Sequence, residues 1–374
     1  MNRIRLVILF LIINISSFAQ FSQSEWPNYR GRADLSGRTD AVIPSSPSLL
    51  WTVKTNNRTV SSPVVKEGII YFGNNAGELF AINIDGEILW QFEAGNAIEA
   101  PPLLIDNKVV FGALDGVLRA VDSKTGKLIW EYRTENQIAG SANMWTDNEK
   151  NLIIVGSYDY NLHCVDPDSG NAIWKIETEN FINGTPAIFH NKIVFGGCDG
   201  YLRVADAVSG KEVNKSDLGV YLASSPAISS NKAFVGDYDG NFFGINLNTM
   251  KVEWKSEQQS EQSVLLATPA IDKCKVVIGS EDKYLYCYNM NTGDVEWKMR
   301  TDGRITSSAV ISDDKVLFGS RDGKIYIVSL DNGEKIWSFD SGKPISSTAA
   351  VIDNKFFVLT EDGRLMAFGK GNQK

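Results

Sequence analysis

The sequence predicts an all-β fold, and three observations along its 374 residues lead to this prediction. First, a unit of about 40 residues repeats from near residue 48 to near residue 368. Second, each unit contains four short apolar runs separated by turn residues, which is typical of short antiparallel strands. Third, the repeat starts and stops within a unit, and the two fragments complement each other. Together these features predict an eight-bladed β-propeller of four-stranded antiparallel blades.

Tryptophan marks the repeat most clearly. Seven of the nine Trp residues recur at intervals of 39, 40, 44, 80, 43 and 40 residues. The interval of 80 contains one degenerate copy, in which Asn214 stands where Trp is expected. We expect the indoles to lie on the outer strands and to pack between neighbouring blades, and we expect a weaker joint at Asn214. These blade-docking residues are Trp51, Trp90, Trp130, Trp174, Trp254, Trp297 and Trp337.

The second copy shows how one unit is built. Apolar runs at 100–105 and 109–112 flank a turn, and an alternating strand follows Asp115-Gly116. Asp-Gly favours a tight hairpin because Gly accepts a positive φ. A fourth strand carries Trp130. Because an Asp recurs at this position in most copies, we assign it to turn formation, with a calcium ring or acid–base chemistry as the alternative.

The two ends of the repeat predict how the ring closes. Residues 345–368 supply three strands of a last copy, and residues 48–54 supply a Trp strand with no blade before it. We therefore expect the N-terminal strand to complete the eighth blade, which removes exposed sheet edges. The predicted divisions are a signal peptide (1–19), a leader or flap (20–47), the propeller (48–368) and a C-terminal tail (369–374).

The first 19 residues predict export. Arg3 and Arg5 precede an apolar run, and Ser17-Phe18-Ala19 has the pattern of a cleavage site. The run is too short to span a bilayer, which requires about 20 residues. No Cys lies near the cleavage site, so we expect no lipid anchor. The expected product is a soluble monomer in the periplasm or outside the cell, cleaved near Ala19.

Composition narrows the range of functions. A net charge of −8 argues against a nucleic-acid surface, and two His residues leave little for His-based chemistry. No phosphate-binding loop or dinucleotide fingerprint occurs. We predict no catalytic residue and no metal site. The four Cys residues do not form a disulfide framework, so we expect mostly buried thiols, with one bridge as the alternative.

The segment from Ala120 to Trp130, AVDSKTGKLIW, resembles the A-x-D-x-x-T-G-x-x-x-W signature of the PQQ-like (quinoprotein-type) propeller repeat. The resemblance covers roughly residues 48–368 and implies that each Trp docks against the adjacent blade. It also implies one of two kinds of protein. One is a quinone-dependent dehydrogenase, and the other is a non-enzymatic propeller such as the barrel-assembly lipoprotein of the bacterial outer membrane.

Departures from the enzyme pattern favour the non-enzymatic kind. The sequence lacks the adjacent Cys-Cys pair and the CxxCH haem site that the resemblance would lead us to expect of many such enzymes. Residues 26–31, WPNYRG, resemble a leader found before such repeats in exported bacterial proteins. We expect this leader to pack on the propeller as a structural flap, with covering of the channel mouth as the alternative.

Variation between the copies predicts where a partner binds. The loops from strand two to three and from strand four to one fall on one face, and they mix aromatic, Arg and acidic residues as recognition surfaces do. Ordinary loop variation is the alternative, and the longer loop 257–264 lies on the same face. The candidate ligand- or partner-binding residues are Arg58, Gln137, Tyr158, Phe181, Tyr221, Tyr238, Arg304 and Arg321.

These observations lead to two hypotheses. The first is an exported, non-enzymatic scaffold of the cell envelope that binds a protein, peptide or glycan on this face. It needs no cofactor, nucleic acid or membrane span. The second is a PQQ-dependent dehydrogenase for alcohols or sugars, or a quinone-binding relic. This alternative would hold PQQ and Ca²⁺ in the axial funnel near Arg304, Arg321 and Trp145.

Overall fold

The computed structural model is an eight-bladed β-propeller, in which every blade is a four-stranded antiparallel sheet. This confirms the predicted fold class. The predicted signal peptide and most of the loop 257–264 lie outside the described residues. The structure describes residues 25–147, 149–222, 224–256 and 264–371.

The blades follow one another along the chain, and each runs from its innermost to its outermost strand. Strand β1 (Ser48–Lys54) comes first and belongs to the last blade. Blades 1 to 4 contain β2 (Val64–Lys66), β3 (Ile69–Gly73), β4 (Glu78–Asn83), β5 (Ile88–Glu93); β6 (Leu103–Ile105), β7 (Lys108–Gly112), β8 (Val117–Asp122), β9 (Leu128–Arg133); β10 (Asn143–Thr146), β11 (Asn151–Gly156), β12 (Asn161–Val165), β13 (Ala172–Glu177); β14 (Ala187–Phe189), β15 (Lys192–Gly196), β16 (Tyr201–Asp206) and β17 (Glu212–Asp217). Blades 5 to 8 contain β18 (Ala227–Ser229), β19 (Lys232–Gly236), β20 (Phe242–Asn246), β21 (Lys251–Ser256); β22 (Ala270–Asp272), β23 (Lys275–Gly279), β24 (Tyr284–Asn289), β25 (Val295–Arg300); β26 (Val310–Ser312), β27 (Lys315–Gly319), β28 (Lys324–Ser329), β29 (Lys335–Asp340); β30 (Ala350–Ile352), β31 (Lys355–Leu359) and β32 (Arg364–Gly369).

The two ends of the propeller share blade 8, as the sequence predicts. Strand β1 pairs antiparallel with β32, and Trp51 lies opposite Ala367. The sheet order is β1-β32-β31-β30, so β1 is the outer strand. Closure therefore joins the start of the propeller to its end through backbone hydrogen bonds.

Burial follows the position of a strand within its blade. The second and third strands are almost wholly buried, as β7 and β8 show, because both faces of these strands pack against neighbouring blades. The outer strands alternate between exposed and partly buried residues, as in β5. The core is accordingly a set of apolar clusters between blades, such as the one that joins Trp130 of blade 2 to Val155 of blade 3.

Trp and Gly of the repeat signature meet across the joints between blades. The Trp90 indole Nε1–H donates a hydrogen bond to the Ser123 carbonyl of the next blade, over 2.9 Å. Gly126 lies flat against this indole with φ +68°, and a Cβ atom there would come within 2.7 Å of the ring. Trp130 donates in the same way to Pro167 O, over 3.0 Å. The Thr-Gly turn is thus the docking platform for the preceding Trp.

The joint between blades 4 and 5 departs from this arrangement on both sides. Asn214 replaces the indole, and Met250 replaces the platform Gly while keeping a positive φ of 54°. Met250 is 5% exposed and packs in the same apolar cluster as Leu247 and Ile245. Because no indole needs a flat platform at this joint, a side chain fills the space. The predicted weakness of the joint stays a prediction.

The leader, residues 25–43, follows the free edges of the inner strands around the central channel. Trp26 exchanges two backbone hydrogen bonds with Val65 of blade 1, and later leader residues bond to later blades. Blade 3 is held through side chains instead: Asn28 Nδ2 donates to Asn143 Oδ1 over 3.0 Å, and Asn143 Nδ2 donates to Ala33 O over 2.8 Å. Further backbone bonds run from Leu104 N to Pro27 O, Ile188 N to Ala33 O, Ile228 N to Asp34 O, Ile271 N to Ser36 O and Ile311 N to Gly37 O.

A 3-10 turn, Tyr29–Gly31, carries the leader inward to the propeller axis. Arg30 is fully buried there, and its guanidinium donates to Ala309 O over 2.5 Å and to Pro269 O over 2.9 Å. Burial lowers the pKa of Arg30 to about 10, so the group keeps its charge at neutral pH. The leader thus closes the channel at the end that carries the strand one-to-two turns. We call this end the leader face and the opposite end the loop face.

Candidate functional site

The loop face is built from eight matched pairs of loops. In each blade a residue of the strand two-to-three turn donates its backbone N–H to the connection that enters the blade from its neighbour. These bonds hold the two loop sets side by side, as strand order predicts. The donor and acceptor residues are Asn75 and Arg58, Leu114 and Ala97, Tyr158 and Gln137, Cys198 and Phe181, Tyr238 and Tyr221, Glu281 and Val264, Arg321 and Arg304, and Glu361 and Pro344.

All eight candidate residues belong to these pairs. The structure places seven of them in two groups, which the sequence analysis does not anticipate. One group lies over blades 3 to 5 and forms the aromatic sector: Tyr158, Tyr160, Phe181, Tyr221 and Tyr238. The other lies over blades 6 to 8 and their border with blade 1 and forms the charged sector: Arg58, Glu281, Arg304, Arg321 and Glu361. Gln137 borders the aromatic sector through its bond with Tyr158.

The aromatic sector combines stacked and free rings. Phe181 lies between two tyrosines, with ring centroids 4.7 Å from Tyr158 and 5.2 Å from Tyr160. Tyr221 and Tyr238 are 55% and 44% exposed, so much of their rings faces solvent. Rigid aromatic side chains of this kind offer a large contact area with little loss of side-chain entropy. The sector therefore has the composition of a binding surface.

Tyr160 is a member of this sector that the sequence analysis missed. It occupies a hairpin position where most blades have Gly, and its φ is +71°. A non-Gly residue in the left-handed region costs about 1–2 kcal/mol. Its ring nevertheless packs on Phe181 and remains 43% exposed. The signal was present in the sequence, because Asp159 is followed by Tyr where Asp115 is followed by Gly.

Partial burial raises the pKa of two tyrosines of the aromatic sector, Tyr158 and Tyr238, and of the adjacent Cys198. Burial raises the pKa of Tyr158, and the nearby Cys198 and Tyr238 contribute in the same direction. Burial also raises the pKa of Cys198 above that of a free thiol, with a smaller contribution from Asp199. A thiol with a raised pKa is a poor nucleophile at neutral pH. The sector therefore offers ring faces and hydroxyl groups for binding and no activated nucleophile.

The charged sector contains ion pairs between exposed arginines and partly buried glutamates. Glu361 accepts a hydrogen bond from Arg58 Nη2 over 3.3 Å, and its Oε1 lies 2.9 Å from Arg321 Nη1. Arg304 Nη1 lies 3.5 Å from Glu281 Oε1. Exposed pairs contribute little to stability, typically about 0–1 kcal/mol. With three arginines and two glutamates, the sector mixes both signs and presents hydrogen-bonding groups.

An axial funnel of about 190 Å³ lies between the two sectors. Its floor is Tyr29 of the leader, whose hydroxyl lies 3.1 Å from Thr268 Oγ1 and 2.9 Å from Ser308 Oγ. Small side chains at the starts of the inner strands form its wall, which includes Ser62, Ser141, Thr185, Ser225 and Thr348. The funnel is therefore shallow and lined with hydroxyl groups.

The funnel does not fit the quinone of the alternative hypothesis. Among the described residues its lining includes Glu99 and no Lys or Arg, so it offers no counter-charge for the carboxylates of PQQ. Arg304 and Arg321 belong to the ion pairs of the charged sector on the loop face and are not among the described lining residues. Trp145 does not join them, because its indole Nε1–H donates to His190 O in the strand one-to-two turn of blade 4. The three residues expected near a quinone thus lie at opposite ends of the channel.

The recurrent Asp residues form turns, as expected. Asp115 Oδ1 accepts the backbone N–H of Val117 over 3.1 Å, and most copies repeat this contact. Asp159 also lies 3.1 Å from His163 Nε2, while Tyr132 Oη lies 2.9 Å from His163 Nδ1. Burial lowers the pKa of His163, although Asp159 opposes this shift. Within the described ranges, no cluster of three or more His, Cys, Asp or Glu residues could hold a metal ion.

The cysteines differ in exposure. Cys164 and Cys287 are buried, Cys198 is half-buried and Cys274 is exposed in a turn, so the expectation of mostly buried thiols is only partly met. All four are free thiols, and the structure therefore shows no disulfide bridge between them. In the part of the chain that the structure describes, no helix has the length and apolarity that a membrane span requires.

Comparison with known families gives one match that covers most of the chain. The model of the PQQ_2 family, described as outer membrane protein assembly factor BamB, matches residues 36–179, 158–278 and 258–372. The three overlapping matches together span the propeller. The similarity to this family therefore extends over the whole ring of repeats and is not confined to one local motif.

Curated relatives include both kinds of protein that the repeat signature suggests. The outer membrane protein assembly factor BamB of Nitrosomonas eutropha is 28% identical over 102 residues, which is 27% of this chain and 25% of the relative. The dehydrogenase subunit of the quinone alcohol dehydrogenase of Acetobacter aceti is 31% identical over 96 residues, which is 22% of this chain and 13% of the relative. This chain therefore spans a quarter or less of the length of these relatives.

Solved structures resemble the whole propeller. BamB from Moraxella catarrhalis has a TM-score of 0.74 at 19% identity, covering 88% of this chain and 99% of that one. The quinohemoprotein alcohol dehydrogenase ADHIIG from Pseudomonas putida HK5 has a TM-score of 0.79 at 13% identity, covering 94% and 81%. At these identities the likeness shows the fold alone.

Proposed function

Because the chain belongs to the family described as outer membrane protein assembly factor BamB, we propose that it is a non-enzymatic scaffold of the cell envelope. In this proposal the protein is exported, and it binds another envelope protein through its loop face. A peptide or a glycan is the other kind of ligand that this face would suit. The observation that carries the proposal is the aromatic sector, which gathers five rings on one side of an otherwise polar face.

The physical case rests on what the aromatic sector exposes. Tyr and Phe side chains are enriched at the centres of protein interfaces, where a few of them supply most of the binding free energy. Tyr221 and Tyr238 are exposed, and Phe181 braces the sector from within. The ion pairs of Arg304 and Arg321 would then form a polar rim.

Crosslinking in living cells tests the proposal. A photoreactive benzoyl-phenylalanine at Tyr221 should give a discrete protein adduct, because this site is exposed within the sector. The matched control is Val213, which is 63% exposed on the outer strand of blade 4 and should give none. Tyr221→Ala and Tyr238→Ala should each weaken the adduct partner's affinity by about 2 kcal/mol. Equal adducts at Tyr221 and Val213, or no adduct at Tyr221, would contradict the proposal.

The dehydrogenase alternative has its own test. Purified protein titrated with PQQ and Ca²⁺ should show no stoichiometric complex, because the described funnel wall lacks cationic residues. A tight complex together with dye-linked alcohol or sugar oxidation would overturn the non-enzymatic assignment.

A further inference from the structure

A second cavity, of about 420 Å³, lies on the leader face between the leader and the inner strands of blades 2, 3 and 4. It exists because the leader skips blade 3. Between Asn28 and Ala33 the chain turns inward to place Arg30 at the axis. Among the described residues, no main-chain hydrogen bond of the leader reaches β10. The leader therefore does not lie along this blade as it does along its neighbours, and the Asn143 side chain bridges the gap.

The walls of this cavity are mostly apolar. Leu103 and Leu104 form one side and Ile188 and Phe189 form the other, with Met144 of β10 between them. Leu103, Leu104 and Ile188 are at least nine-tenths buried, so they form a rigid surface. Small-molecule sites typically enclose roughly 300–1,000 Å³ behind apolar walls with a few polar groups. The cavity therefore has the size and lining of a ligand site.

The rim of the cavity carries charged residues of the leader. Arg38 forms ion pairs with two carboxylates, at distances of 3.5 Å to Asp40 and 3.3 Å to Asp272. Arg32 uses only its Nε, which lies 3.3 Å from Asp34, and its side chain is 48% exposed. Its terminal Nη groups make no hydrogen bond to a described residue and could hold a carboxylate or sulfonate in a fork.

We propose that this cavity binds a small amphipathic anion, with an apolar body on Leu103, Met144 and Phe189 and an acidic head at Arg32. Asp34, Asp40 and Arg38 are already engaged in ion pairs, so the Nη groups of Arg32 are the donors that an acidic head group would meet. Glu25 also lines the rim and opposes the head group, so its charge should weaken binding. The site lies at the opposite end of the channel from the loop face and does not depend on partner binding there.

A fluorescent probe with this chemistry tests the site in the full-length protein. Anilinonaphthalene sulfonate has an apolar body and a sulfonate head, and it should bind at one saturable site. Met144→Trp should fill the cavity and lower the affinity about tenfold or more, whereas Arg32→Gln should lower it about three- to tenfold. Glu25→Gln should raise the affinity. Arg133→Gln, at an exposed arginine on the outer strand β9, is the matched control and should change nothing.

Competition identifies the head group. Decanoate should displace the probe, and decyltrimethylammonium should not, because only the carboxylate can occupy the Arg32 fork. Displacement by both compounds would overturn the assignment of an anionic ligand. Absence of saturable probe binding, or unchanged binding in Met144→Trp, would overturn the site. Thr146→Trp, at the exposed rim, serves the same purpose if Met144→Trp does not fold.

Discussion

The two ends of the propeller channel differ in how closely their contacts and side chains repeat from blade to blade. The leader face carries the same devices in nearly every blade: Trp–Gly joints and backbone bonds from the inner strands to the leader. The loop face keeps a common backbone arrangement and changes its side chains from blade to blade, from Tyr158 and Tyr238 to Arg321 and Glu361. The comparison indicates that stability resides mainly at one end and recognition at the other.

The largest effect should come from removing a buried indole. Trp130→Ala should lower the free energy of unfolding by about 3–5 kcal/mol, because it leaves a cavity and an unpaired Pro167 carbonyl. Asn214→Ala, at the equivalent position of the degenerate joint, should change it by less than about 0.5 kcal/mol. Urea unfolding measures both. Similar losses for the two variants would show that the indoles are not the main stabilising element of the joints.

The buried arginine of the leader should have the next largest effect. Arg30→Met should cost about 3 kcal/mol, because the carbonyls of Pro269 and Ala309 lose their donors inside the propeller. Arg32→Met, two residues along and half-exposed, should cost less than about 0.5 kcal/mol. Both values come from urea unfolding of the full chain. An Arg30→Met protein as stable as the wild type would mean that the leader adds little to the closed end.

Substitutions at two glycines with positive φ allow the free-energy cost of backbone strain to be measured apart from that of a steric clash. Gly126→Ala should cost about 2 kcal/mol or more, because the new methyl meets the Trp90 ring and the backbone stays left-handed. Gly95→Ala, on a loop-face connection, has the same sign of φ with open space around it and should cost about 1 kcal/mol. Equal losses in thermal or urea unfolding would argue against the platform role of Gly126.

The smallest effect should have the opposite sign. Tyr160→Gly should stabilise the protein by about 1 kcal/mol, because Gly adopts the left-handed conformation without strain. The same change should weaken crosslinking from Tyr221 by removing a ring that packs on Phe181. Unfolding and crosslinking yield are measured on one preparation. A less stable variant would contradict the backbone strain at Tyr160, and one that crosslinks as well as the wild type would contradict its binding role.

The sequence could predict what repeats and could not predict what occurs once. Periodic Trp residues and the complementary ends predict the eight blades and the pairing of β1 with β32, because each depends on a spacing. The path of the leader depends on contacts between Arg30 and backbone carbonyls more than two hundred residues away, and no residue pattern marks those carbonyls. Trp145 was misplaced for a related reason, since it lies off the periodic series and its direction is set by local strand alternation.

The sequence predicts on which face the candidate residues lie, but it does not predict that they separate into an aromatic and a charged sector. Strand order alone brings the two loop sets to one face, and all eight candidate residues lie in the bonded pairs. The stacking of Phe181 between Tyr158 and Tyr160 depends on side-chain geometry across two blades, which the sequence does not specify. Tyr160 could have been recognised from the missing Gly after Asp159.

The leader has a consequence for the order of events during biogenesis. It is the earliest described part of the chain, yet its hydrogen-bond partners extend to Ile311. Strand β1 likewise has no strand to pair with until β32 has been made. These partners are synthesised long after the leader, and contacts between distant parts of a chain form slowly. The first segment to arrive would therefore stay unsatisfied until the final strands follow. During that interval it would be exposed to proteases and accessible to chaperones.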